Sequence, residues 1–200
     1  MVNRVNRIMA CRSRRQGGVT IIEVLVTLLI VALGLLGLAG LEARLQSSEM
    51  ESYQRAQALV LLDDMVNRLN TNRSDAANYV EAAPLTGPVG AGMTCPTSTS
   101  TQQAVDIKEW CNALQGAAEL SGSSRIGAMI GGRGCIEDLG AGAAGDQAYQ
   151  VTVAWQGMTP LAAPTEGCGQ GSYNGPAGSL CQNDRCRRAV SVVVRIGNLS

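Results

Sequence analysis

From Val24 to Leu41 the chain runs 18 residues without a charge, its apolar character interrupted only by Thr27, Gly34, Gly37 and Gly40. With Val19 to Glu23 added, the segment is 23 residues, or ~34 Å as a helix, close to one hydrocarbon thickness. The pattern then changes without a break. No glycine occurs between Gly40 and Gly87 and no proline before Pro84, and the intervening EARLQSSEMESYQRAQALVLLDDMVNRLN is rich in helix formers. Leu45, Leu59, Leu62, Val66 and Leu69 fall near one face of it and most charges elsewhere. The spacing predicts one helix from about Thr20 to about Asn70, on the order of 75 Å long. Its first half is suited to lipid, and its second half carries a stripe that only the rest of the chain can cover.

Beyond Thr71 the residues become Ala, Gly, Pro, Ser and Thr, which predicts an irregular connection. Val105 to Leu120 (VDIKEWCNALQGAAEL) reads as a short helix carrying Trp110 and Cys111. Strands are predicted at Ala148 to Gln156, where Tyr149, Val151, Val153 and Trp155 alternate, and at Ala189 to Ile196. Ile126 to Ile136 is a further strand candidate, weakened by its glycines. The segment GCGQGSYNGPAGSLCQNDRC between the last two strands is too polar and glycine-rich for a core element. These elements predict an α+β fold, a long N-terminal helix packed on a small, mainly antiparallel sheet.

Charge gives the helix a direction. The formal net charge is zero, yet the first 18 residues carry five arginines and no acid, leaving 11 basic and 16 acidic residues, a net charge of −5, in the remainder. Basic residues in a tail rather than on a folded face argue against nucleic-acid binding. Arginines before an apolar segment hold that end in the cytoplasm, so everything after Leu41 is expected outside the inner membrane. The cysteines fit this placement. Cys11 lies in the basic tail, while Cys95, Cys111, Cys135, Cys168, Cys181 and Cys186 lie on the exported side, an even number suited to three disulfides. If all six pair internally, three precede the Ala148 strand and three follow it, so at least one bridge must cross that strand. The connectivity stays open.

At the junction of basic tail and apolar run stands QGGVTIIEV, residues 16–24. Glu23 is an acid inside a bilayer-length segment, which costs about 2 kcal/mol or more without a partner. The string closely resembles the processing site of type IV pilins and pseudopilins: a basic leader ending in glycine, an apolar first mature residue and a glutamate at the fifth. The resemblance implies that a prepilin peptidase cuts between Gly18 and Val19 and N-methylates Val19. It also implies that Glu23 pairs with the freed terminal amine of its own or a neighbouring chain. Val19 departs from the usual phenylalanine or methionine but keeps the position apolar.

Further strings, VTIIEVLVTLLIVALGLLGLAGLEARLQSSE, RGCIED, YQVTVAWQG and CRRAVSVVVRIG, resemble the PilV branch of minor pilins. That likeness implies a cytoplasmic leader at 1–18, a transmembrane half-helix at 19–41, an amphipathic half at 42–70 and a periplasmic head at 71–200. The chain would reside in the inner membrane and then in the pilus. Its implied partners are other minor pilins, the major pilin, a tip adhesin and the prepilin peptidase. A minor pseudopilin of a type II secretion system shares the processing site and is the alternative. A membrane-tethered periplasmic enzyme or binding domain is a third class.

Enzymology finds little material. The chain has no histidine, which removes imidazole-based nucleophile activation and histidine zinc sites. No cofactor or metal is expected. GAGAAG at 140–145 satisfies GxGxxG, but a strand candidate follows it rather than a helix N-terminus, so a loop is expected. Cys181 and Cys186 lack a partner CxxC, and a disulfide is the expected reading. The pairs Asp63, Asp64 and Glu137, Asp138 lack calcium-loop spacing and read as solvated faces. Trp110 and Trp155 read as core. Gly34, Gly37 and Gly40 suit either close helix approach or local unwinding, or are ordinary membrane-helix glycines.

Overall fold

Helix α1 spans Ile21–Thr71, 51 residues without interruption. The computed structural model describes residues 17–80, 87–117, 120–122, 124–125, 129–142 and 145–197. The chain divides into two units, one ending at Leu45 and one beginning at Gln46, so the boundary falls within α1.

In the first unit every described residue is exposed, including Ile21 at 82% and Leu36 at 71%. The most apolar 18-residue window has a mean hydropathy of 2.8 and none of it is buried. A bare surface of this kind needs lipid or another apolar partner. The helix stays regular across Gly34, Gly37 and Gly40, with no local unwinding. Thr27 satisfies its hydroxyl inside the helix, donating to the Val24 carbonyl at 2.9 Å.

In the second unit α1 buries Gln54, Ala58, Leu62, Met65 and Leu69, a stripe spaced by three and four residues. The stripe lies one position away from part of the expected one: Leu45 and Leu59 are 54% and 43% exposed. Small Ala58, one step round the helix from Leu59, takes the buried position. After α1 come a 3-10 turn at Arg73–Asp75 and helix α2 at Ala76–Val80. Composition predicts an irregular stretch here, but Ala76 and Tyr79 turn inward and are buried. Strand β1, Val89–Gly90, is likewise new to the structure.

Helix α3 spans Gln102–Leu114, shifted from the expected Val105 to Leu120. Thr101 sets its start by accepting the Ala104 N–H at 3.1 Å. Its end falls at Gln115, followed by Gly116 with φ +81°, a left-handed conformation that glycine adopts freely. A short hairpin pairs β2, Leu120–Ser121, with β3, Ser124–Arg125.

The main sheet comprises β1, β4 (Arg133–Ala141), β5 (Gln147–Gln156) and β6 (Arg187–Ile196), antiparallel and in that order. The last two match the expected strands within two residues at each end. The candidate at Ile126 to Ile136 is corrected. Residues 126–128 lie outside the described set, residues 129–131 turn, and the strand begins at Arg133 and continues past Ile136. It absorbs Gly140 and Ala141, which were expected in a loop, through a bulge between Asp138 and Gly140. Residues 143–144 of that loop lie outside the described set.

Strand β5 is covered on both faces. Tyr149, Val151, Val153 and Trp155 join the core with Ala58, Leu62, Met65 and Leu69 of α1 and Trp110 of α3. On the reverse face Ala154 packs with Cys168 and Tyr173, both from the segment judged too polar for a core element. That segment forms no helix or strand, yet it serves as the second cover. The Tyr173 hydroxyl lies 2.8 Å from the Gly131 carbonyl and 3.0 Å from that of Ala154, and the Arg133 guanidinium sits 4.9 Å from its ring centroid. Buried Asp184 ties the segment to the last turn, accepting the Gly171 N–H at 2.8 Å. The expected placement of both tryptophans in the core is met: Trp110 is 1% and Trp155 3% exposed.

Three disulfides complete this unit: Cys95–Cys111, Cys135–Cys168 and Cys181–Cys186. The second joins β4 to the segment after β5 and is therefore the bridge that crosses β5. Each closes a loop that the unfolded chain would otherwise explore, an effect of about 2–4 kcal/mol in general.

Candidate functional site

Residues 17–20, which include Gly18 and Val19, are exposed and without regular secondary structure. Helix α1 begins at once afterwards. The Glu23 N–H reaches both the Thr20 carbonyl, at 3.1 Å, and Thr20 Oγ1, at 3.4 Å, so Thr20 caps the helix and Glu23 is its third residue. Thr-x-x-Glu is the sequence signature of such a start, and it is present in VTIIEV as a local signal for the helix beginning at Ile21. The Glu23 side chain is exposed and makes no hydrogen bond or ion pair among the described residues. Its carboxylate sits in the first helical turn, where the helix dipole favours negative charge.

In the second unit, polar chemistry is concentrated where α1, α2 and α3 meet. Arg68 donates to Asp64 at 3.0 Å, to Asp106 at 2.9 Å and to Glu109 at 2.8 Å. Burial works against its charge, but the hydrogen bonds to Glu109, Asp64 and Asp106 more than offset this and raise its pKa. Asp106 is 3% exposed and is satisfied by Arg68, by the Tyr79 hydroxyl at 2.5 Å and by the Gln102 amide at 3.0 Å. This is a buried, fully partnered carboxylate, and its partners join three helices. A second tie links Glu51 of α1 to Arg188 of β6 at 2.5 Å, and Arg188 also reaches the Thr159 carbonyl at 2.6 Å.

The first tie makes stability sensitive to alkali. Burial, and next the hydrogen bond to Asp106, drive the Tyr79 phenol above its ordinary range. Tyr79 therefore contributes its full stabilisation below the unfolded phenol value of about 10, and the contribution is lost as pH rises beyond it toward the folded value. The urea midpoint is expected to fall above pH 10, and Tyr79→Phe to flatten part of that fall. Tyr149 and Tyr173, also raised by burial, would keep the remainder. An equal slope in wild type and Tyr79→Phe would remove Tyr79 from the account.

The remaining candidates resolve into structural roles. Asp64 pairs with Arg68, and Asp138 accepts the Gly140 N–H and the Gln147 amide. Cys181 and Cys186 are bonded to each other. Among the described residues no group of three or more His, Cys, Asp or Glu is placed to hold a metal. A groove of about 460 Å³ lined by Ser48, Glu51, Arg55, Trp155 and Arg188 has its acid already paired with Arg188. It offers no nucleophile beside a free base.

Residues 13–39 match the prokaryotic N-terminal methylation motif. No curated protein and no solved structure gave a match to the chain. The motif spans Gly18, Val19 and Glu23. It supports a type IV pilin-like or pseudopilin protein, a structural chain rather than an enzyme, and the apolar half of α1 fits membrane anchoring of such a chain. The α+β architecture of helix, four-stranded antiparallel sheet and disulfides is pilin-like.

Proposed function

We propose that the chain is a minor type IV pilin that takes part in initiating pilus assembly and sits near the pilus tip, supporting adhesion and twitching motility. The observation that carries this reading is Glu23, a carboxylate without a partner among the described residues, at the start of a bare apolar helix and four residues beyond a Gly18–Val19 bond in an exposed, irregular stretch. A prepilin peptidase cuts that bond on the cytoplasmic side and methylates the new Val19 amine. The amine then meets the Glu23 carboxylate of the same or a neighbouring chain, so that an isolated charge in lipid becomes an ion pair in a filament. The head, held by its three disulfides, stands on the periplasmic side and then on the pilus. There it contacts other minor pilins, the major pilin and a tip adhesin. The three disulfides are consistent with the oxidising side of the membrane.

The likeness of RGCIED, YQVTVAWQG and CRRAVSVVVRIG to the PilV branch favours a pilus over a type II secretion system. Loss of twitching, rather than of protein secretion, on deletion of the gene would decide between them. The superfamily reading is tested by intact mass of the chain isolated from membranes with and without the peptidase. A form beginning at methylated Val19, present only with the enzyme, is the expected result. A chain still carrying Arg4 to Arg15 in the presence of the peptidase would overturn the reading.

A further inference from the structure

We propose that the outer edge of β6 accepts a strand from a different polypeptide, an extended segment of alternating apolar side chains with a carboxylate placed to meet Arg55. The proposal deepens the reading above by giving the head a surface for a partner, and it rests on that reading only for the compartment in which the partner is met.

The two edges of the main sheet are built differently. At one edge β1 is only two residues long, Val89–Gly90, and β4 beyond it carries the bulge between Asp138 and Gly140 and lies against α2. Short strands, bulges and covering helices leave little ladder for another chain to extend. At the other edge β6 has none of these protections. Its ten residues pair with β5 in unbroken register. It contains no proline and no lysine, and Ala189 to Val194 carries no charge. Among the described residues, only β5 makes hydrogen bonds to the backbone of Ala189 to Ile196. In such a strand every second N–H and C=O points outward, and only another extended backbone can meet the whole row. Val192 and Val193, in the middle of it, are exposed.

The side chains beside this edge define the strand that fits. Val190, Val194 and Ile196 of β6 face α1 and the core, while Ala189 faces Cys168 and Tyr173. At the Arg188 end a groove of about 460 Å³ opens next to the strand, with Trp155 and Leu161 among its apolar walls and Ser48 and Arg55 supplied by α1. Arg188 and Glu51 satisfy each other there. Arg55 is exposed and has no hydrogen bond or ion pair among the described residues. Strand addition takes its affinity from main-chain hydrogen bonds and its specificity from pockets for alternate side chains. Apolar walls beside one uncompensated cation select apolar residues and an acid. A second copy of this chain fits less well. β6 contains no acid, so self-pairing would leave Arg55 unanswered and gather Arg188 and Arg195 of both copies on one ribbon.

The test uses the full chain in its native host with a photo-reactive benzophenone residue in place of Val193. A control chain carries it in place of Leu180, which is exposed in the segment before β6. Irradiation is expected to join the Val193 chain, and not the Leu180 chain, to a different polypeptide, at a stretch of alternating apolar residues that includes an acid. Arg55→Glu should cut the yield of that product about tenfold, and Arg55→Lys should keep it. Hydrogen exchange then reads the backbone. In the joined product, uptake across Arg187 to Gly197 is expected to fall by about four amides relative to the free chain in the same detergent, the outward half of those in Ala189 to Ile196. No product at Val193, an equal product at Leu180, a product with a second copy of this chain, a yield indifferent to Arg55→Glu, or unchanged uptake would each overturn the proposal. The N-terminal mass of the same chain is read in parallel. Methylated Val19 without a Val193 product sinks the strand addition alone, and a Val193 product on a chain with its leader uncut sinks the processing alone.

Discussion

Replacing Glu23 with valine is expected to cut recovery of the chain in sheared filaments by ~30-fold, the equivalent of losing about 2 kcal/mol of ion pairing, and to reduce surface piliation with it. The structure makes this substitution clean. The Thr20 cap is made to the backbone N–H of residue 23, which valine retains, so α1 should start where it does now. Valine also suits a lipid-facing helix, and the membrane-bound amount of the chain should not fall. What disappears is the carboxylate alone. Glu23→Asp, one methylene shorter, is expected to fall between. Undiminished piliation together with undiminished recovery in Glu23→Val would remove Glu23 from assembly and leave it as a helix-start acid only.

The second large effect is expected in the head. Trp110→Ala should cost about 3–5 kcal/mol, a large share of the 5–15 kcal/mol that typically holds a domain together. Trp110 is 1% exposed, and its Nε1 donates to the Leu61 carbonyl of α1 at 2.8 Å. Its ring lies against Gly134 of β4, where even a single added methyl would overlap it. One side chain thus joins α3, α1 and the sheet, and the absence of a side chain at Gly134 makes the space for it. Gly134→Val should be as damaging from the other side, because the valine and the indole would need the same volume. Protease resistance of the detergent-solubilised chain across a urea series would read both. A midpoint shift of less than about 1 kcal/mol for Trp110→Ala would mean that the core collapses around the loss.

Much of this fold is written locally. The absence of glycine and proline from Leu41 to Ala83 lets α1 run unbroken as far as Thr71, and alternation at Tyr149, Val151, Val153 and Trp155 locates β5. The misjudged elements depend on contacts distant in sequence. Nothing near Tyr173 or Cys168 announces burial; both are inside because Ala154 of β5 leaves a shallow face that they fill. Leu59 is exposed although it is a leucine on a helix, because the sheet selects the stripe through Ala58 and Leu62. At the start of α3 the signal was local but masked, since Thr101 is one of five consecutive hydroxyl residues and only the Ala104 bond marks it as the cap. The N-terminal site was more legible, because an acid in an apolar run is conspicuous whatever it packs against. Its Thr20 cap is equally local, encoded in the four residues Thr20 to Glu23.

The Cys135–Cys168 bridge also changes how the chain would yield to tension applied at its ends. The 33-residue separation between the two sulfurs' residues is bypassed by one covalent link, so β5 lies outside the path along which force travels. With the bond closed, the extended contour is shorter by roughly 110 Å than with it reduced, taking ~3.4 Å per residue. The central strand then stays unstretched for as long as that link remains oxidised.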